Sequence, residues 1–150
     1  MGSLLLVLHL LGAVLWVGGM AFALIALRPA LLAIDPPSRI ALMARVHKRF
    51  FMVVWHAMPI VILTGYGLLF GVFGGFAGVR WPIHLMHLLG LIMSGVFLMI
   101  WFIPFRRMRA AVAAGDNAAA AAANDSIRKL VTPNLALGLV TIALGAVGRY

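Results

Sequence analysis

The chain contains no cysteine. That absence removes disulfides, thiolate metal sites, covalently attached c-type haem and cysteine nucleophiles. Acidic residues are nearly as scarce, with only Asp35, Asp116 and Asp125 present, and each falls in a predicted loop. A membrane-buried carboxylate pair is therefore missing, and so is a glycine loop that could cradle phosphate after a strand. Hydrolytic and nucleotide chemistry have no foothold here. Charged residues of either sign make up 10% of 150 positions against 65% hydrophobic, with a mean hydropathy of +1.12. A soluble domain of this size could not hide so much apolar surface, so the expectation is an integral membrane protein. The length suits a single membrane domain, 1–150, of four spans at roughly 20 residues each. The N-terminus lacks a basic n-region and its apolar run is long, so it reads as a retained span and not as a cleavable signal.

What charge there is has one sign, with 12 Lys and Arg giving a net charge of +9. In a membrane protein such residues belong to loops that set topology and meet anionic headgroups, so lipid and not nucleic acid is the expected partner. The apolar runs predict an all-α bundle of four transmembrane helices over about 4–27, 50–73, 82–103 and 130–148. Arg28 and Pro29 stop the first span. Asp35-Pro36-Pro37-Ser38 forms a turn, and Ser38 is placed to cap a short surface helix from Arg39 to Arg49. Pro59 lies inside the second span, Pro82 opens the third, and Pro104 marks its end. The alanine-rich stretch between spans three and four reads as a surface helical hairpin broken near Gly115-Asp116-Asn117. In the fourth span Asn134, Gly138, Thr141, Gly145 and Gly148 recur at steps of four, three, four and three, a small and polar seam for close helix packing.

Loop one–two carries Arg28, Arg39, Arg45, Lys48 and Arg49, and loop three–four carries Arg106, Arg107, Arg109, Arg128 and Lys129. The other side keeps Arg80 and Arg149. The positive-inside rule then puts both loops in the cytoplasm and both termini outside.

The ionisable residues within the predicted spans are histidines: His9, His56, His84 and His87, with His47 at the cytoplasmic boundary. Imidazole in hydrocarbon is costly unless partnered, whether by a metal or by a carbonyl of a neighbouring helix. His9, Gly12, Trp16 and Gly19 share one helical face. His9 and His87 both lie about six residues, or roughly 9 Å, below the outer end of their spans, and His84 sits one turn higher. A bis-histidine haem b between His9 and His87 or His84 follows from those depths, with Gly12 and Gly90 letting a porphyrin approach and Trp16 packing beside it. His56 faces no histidine at its own depth and reads as a buried structural residue. Copper is the rival metal. Met86 lies between His84 and His87, and its thioether suits Cu(I), although its helical face differs from theirs.

The stretch LHLLGAVLWVGGM resembles the first helix of the copper-resistance D membrane domain. HLMHLLGLIMSGVFLMIWFIPFRRMRAAVAAGD and IRKLVTPNLALGLVTIALGAVGRY resemble small bacterial proteins of that same family. That resemblance implies a copper-related role. More distantly, His9, Trp16 and Gly19, with Trp81 and His84, resemble protoporphyrinogen IX oxidases of the HemJ type. The lysine of that pattern falls at Met86. This second resemblance implies a haem b-binding bundle with His9 as ligand, favours His84 over His87, and does not extend to the substrate. The combined expectation is a b-type cytochrome, an oxidoreductase passing single electrons from quinol or to an extracytoplasmic partner, with a homodimer left open. Copper binding or transport and protoporphyrinogen IX oxidation are the alternatives.

Overall fold

The computed structural model describes residues 1–148. Four long helices follow one another: α1 (Gly2–Ala33), α2 (Pro36–Gly71), α3 (Trp81–Ala113) and α4 (Asn117–Val147). Among the described residues there is no strand. All four are long and apolar enough to cross a membrane, so this is a multi-pass membrane protein. The bundle is apolar on its outside: Leu4, Val7, Leu11, Val14 and Leu15 of α1 are exposed, as a lipid-facing surface requires. Gly2, Gly148 and the 72–80 loop lie at one end of the bundle, Gly2 against Val72 and Gly148 against Ile83. The tight 34–35 and 114–116 connections lie at the other, with most of the basic residues.

At 32, 36, 33 and 31 residues, the helices run to roughly 50 Å, well beyond the ~30 Å hydrocarbon core. This length corrects three expectations. The surface helix from Arg39 to Arg49 is the start of α2, continuous with the span. Pro104 does not end the third span, because the chain passes it in a π-helical turn, Trp101–Phe105, and resumes as Arg106–Ala113. A wide turn of this kind leaves the proline ring room and re-satisfies freed carbonyls. In α1, likewise, the chain runs through Arg28 and Pro29 by way of a π turn at Phe22–Leu27. The alanine-rich hairpin forms as expected, turning at Gly115 (φ +71°) between the ends of α3 and α4.

Capping fixes where α2 and α4 begin. The Asp35 carboxylate accepts the Ser38 backbone N–H at 3.0 Å, so Asp35 and not Ser38 is the cap. Asp116 accepts the Ala119 N–H at 2.9 Å. Each satisfies an otherwise orphaned donor at a helix start. In the opposite loop, a Cβ on Gly78 would collide with the Phe73 carbonyl, so only glycine fits there.

The helices pair as α1 on α2 and α3 on α4. The basic half is held by rings: Phe51 meets Phe97 and Phe105 edge-on at 5.9 and 5.0 Å, and Trp55 meets Trp101 edge-on at 5.6 Å. Such arrangements oppose positive ring edges to negative faces. The terminal half has its own ring contacts, Phe70 meeting Phe76 edge-on at 5.9 Å, and the candidate site lies there.

A candidate metal site

Four helices line a cavity of about 90 Å³ in the terminal half. Its chemically active lining is His9 from α1, Tyr66 from α2, Met86 and His87 from α3, and Thr141 from α4. The remainder of the wall is aliphatic or glycine. Gly90 completes it, and a Cβ there would meet nothing within 4 Å.

His9 is held from behind by α2. Its Nδ1 lies 2.9 Å from the Val61 carbonyl and 3.2 Å from Thr64 Oγ1. A carbonyl can only accept, so Nδ1 carries the proton. The Thr64 hydroxyl donates its own hydrogen to the Ile60 carbonyl at 2.5 Å, leaving its oxygen free to accept from His9 as well. Nε2 then bears the lone pair. A backbone carbonyl fixing one ring nitrogen so that the other can bind is the outer-shell arrangement of metal-ligating histidines. His87 is framed by rings: Tyr66 and Phe76 lie edge-on at 5.1 and 5.4 Å, and the Tyr66 hydroxyl is 3.3 Å from His87 Nε2.

The residues singled out from the sequence divide between two settings. His9, His87 and Gly90 come together at the cavity. His84 does not reach it; exposed, it stacks on the outer face of Phe76 at 5.8 Å. Gly12 is buried in the α1–α2 seam, where a Cβ would stand 2.7 Å from Val61 Cγ2 and 3.3 Å from the Ala57 carbonyl. It serves helix approach and not a cofactor. Trp16 lies deeper, 4% exposed and edge-on to Phe97 at 6.4 Å. Two further histidines are accounted for structurally. His56 is exposed, against the expectation of burial, and bonds the Met52 carbonyl of its own helix at 2.7 Å. His47 is buried, stacks on Phe51 and reaches Asn124 Oδ1 at 2.9 Å.

Met86 is the residue that face analysis set aside. Ile83, Met86, His87 and Gly90 stand at i, i+3, i+4 and i+7, one broad helical face. A cavity wall takes in more of a helix circumference than the line through His84 and His87 alone.

Haem b and copper place different demands on this space. A pocket for a drug-sized ligand runs to about 300–1,000 Å³, several times the cavity here, and neither Gly12 nor His84 faces it. The residues as arranged do not fit a porphyrin. A single ion needs only donors. Among the described residues no three His, Cys, Asp or Glu side chains cluster as a metal group, so the donor set available is two imidazoles and a thioether. That set suits Cu(I) and offers little to hard cations.

A second hollow, about 230 Å³, opens at the basic end between Arg28, Arg39, Asn124 and Asp125. Asp125 there is engaged by Arg128 and by Lys129 at 3.0 Å, so the hollow lacks a free carboxylate for a cation.

The sequence profile of the family described as copper resistance protein D matches residues 44–148, more than half of the chain. No curated protein and no solved structure matches.

Proposed function

The chain belongs to the copper resistance protein D family, and from that membership and the donors of the cavity we propose that it binds Cu(I) within a bacterial inner membrane. The observation that carries the reading is the meeting of His9, Met86 and His87 around one small cavity, with His9 held in the tautomer that offers Nε2. When bound there, the ion supplies a positive charge that neutral donors can take up without releasing a proton. Tyr66 orients His87, and the Val61 carbonyl orients His9. The aliphatic wall of Ile62, Leu69, Ile83 and Leu91 keeps competing water away.

Basic residues at the opposite end support an orientation with the cavity toward the extracytoplasmic side. Copper would then reach the site from outside the cytoplasm.

The test is Cu(I) competition between the purified protein and a chromophoric chelator, under reducing conditions. Each of His9→Ala, His87→Ala and Met86→Leu is expected to weaken binding by about tenfold or more, at least what loss of an outer-shell partner costs a metal site, while His84→Ala leaves it unchanged. A wild-type protein that fails to compete, or one that leaves the membrane with a Soret band, overturns the reading.

A further inference from the structure

The three acidic side chains of the sequence are all engaged. Asp35 accepts the Ser38 N–H and Asp116 the Ala119 N–H, while Asp125 is held by Arg128 and Lys129. No carboxylate side chain remains for Arg28 and Arg39, and among the described residues neither forms an ion pair. Both nevertheless line the hollow of about 230 Å³ at the basic end, more than twice the volume of the cavity around His9. Two like charges facing one space repel each other unless something negative lies between them.

The hollow follows from how three helices meet. The tight 34–35 connection folds the start of α2 back on the end of α1, which brings Arg28 and Arg39 to one place. The third wall is the alanine run at the start of α4, where Ala121 supplies only a methyl group and leaves the gap unfilled. Leu31, Ile40 and Met43, all buried, give the hollow an apolar part. Asn124 completes the polar part. His47 Nε2 lies 2.9 Å from its Oδ1, and an amide oxygen only accepts, so His47 donates and leaves the Asn124 Nδ2 hydrogens to serve the hollow. Donors therefore enter from all three helices. A planar carboxylate offers two oxygens on one side, whereas a phosphate presents oxygens in several directions at once and pairs with guanidinium forks.

We propose that this hollow is a phosphate site, in which Arg28, Arg39 and Asn124 take the oxygens of a phosphate group at the end of the bundle opposite the His9 cavity. The proposal is independent of the copper reading. The hollow lies within the last two turns of α1 and the first three of α2 and α4, and helices of roughly 50 Å carry that level out of the ~30 Å hydrocarbon core. Phosphate reaches this level from two sources. One is the headgroup of an anionic phospholipid, whose glycerol and first methylenes would meet Leu31, Ile40 and Met43. The other is a soluble phosphate.

The experiment follows thermal unfolding of the full chain in detergent, because a ligand held only by the folded form raises the midpoint with its concentration. In one arm inorganic phosphate replaces chloride at constant ionic strength. In the other, dioleoylphosphatidylglycerol replaces dioleoylphosphatidylcholine in mixed micelles, the choline cation being repelled by the two guanidiniums. A rise with inorganic phosphate identifies a soluble source, and a rise with phosphatidylglycerol alone identifies the headgroup. Arg28→Gln and Arg39→Gln are each expected to need about tenfold more of the same probe for the same rise, as loss of a charge-assisted contact implies. Arg107→Gln removes an equal charge from an exposed position outside the hollow and is expected to match the wild type. Ala121→Phe fills the hollow from an exposed helix position and keeps every charge, so it too is expected to lose the response. That variant separates a built site from the diffuse pull of a +9 chain on anions. A wild type that responds to neither probe overturns the proposal. So does a response that survives in Ala121→Phe, or one that Arg107→Gln weakens as much as Arg28→Gln.

Discussion

His9 shows how one hydrogen bond separates a ligand from a stitch. A histidine bonded to a neighbouring carbonyl is the ordinary way to bury an imidazole in a membrane, and His9 does bond Val61. The same bond leaves Nε2 unprotonated beside a cavity shared with His87 and Met86, so the structural contact prepares the chemical one. The two glycines tied to this site in the sequence make opposite predictions. Gly12→Val places side-chain carbons against Val61 and the Ala57 carbonyl, and overpacking of that kind costs about 1–3 kcal/mol, to be read as earlier thermal unfolding in detergent. Gly90→Ala adds a methyl where nothing lies within 4 Å. There the change is expected to be neutral or stabilising by up to about 1 kcal/mol, through helix propensity. That His9 and His87 share a level was legible from their depths below the span ends. That His84 misses the cavity was not, because Phe76 comes from the loop 72–80 and its place against α3 has no periodic signature. Met86 was misjudged because a face was taken as a line.

Helix existence was legible from hydropathy, whereas helix ends were not. Arg28, Pro29 and Pro104 look like stops in a chain read locally. The π turns at Phe22–Leu27 and Trp101–Phe105 carry the helices past them, and nothing in the composition announces a wide turn. The Asp35 cap, by contrast, has a sequence signature that was assigned one turn too late, to Ser38. Asp35 lies between the spans, and the Ser38 backbone N–H bonded to its carboxylate holds its pKa below the ordinary carboxylate value. A depressed pKa means that the cap contributes stability at neutral pH, keeps it down to the ordinary carboxylate range near ~3.9, and loses it as pH falls through the lower folded value. Asp35→Ala is expected to lower the melting temperature slightly at pH 7, and the gap to wild type should close on acidification to pH values below that range.

For the whole molecule, the charge asymmetry between the two ends makes a prediction about orientation. The basic end carries short connections and the hollow between Arg28, Arg39, Asn124 and Asp125, aromatic pairs fill the middle of the bundle, and the terminal end holds the His9–His87 cavity. The absence of native cysteine makes the orientation directly testable. A single cysteine at Ala114, in the projecting turn, is expected to react with a membrane-impermeant maleimide only after the cytoplasmic face is opened. A cysteine at Val79, in the opposite loop, should react in intact spheroplasts. Reaction in the reverse order would place the cavity toward the cytoplasm.

The two wide turns have a further consequence for how this sequence can change. Each holds one residue more than the surrounding helix needs, so at those places chain length and helical phase are uncoupled. Loss of a single residue within Trp101–Phe105 would tighten the turn to an ordinary one and leave both flanking faces where they were. The same loss between Met86 and Met93 has no slack to draw on. Every following side chain of α3 would swing by about 100°, and Met93 would leave its place against Gly138. Variation in length is therefore expected to concentrate at the wide turns, with the spacing between the cavity and Met93 held constant.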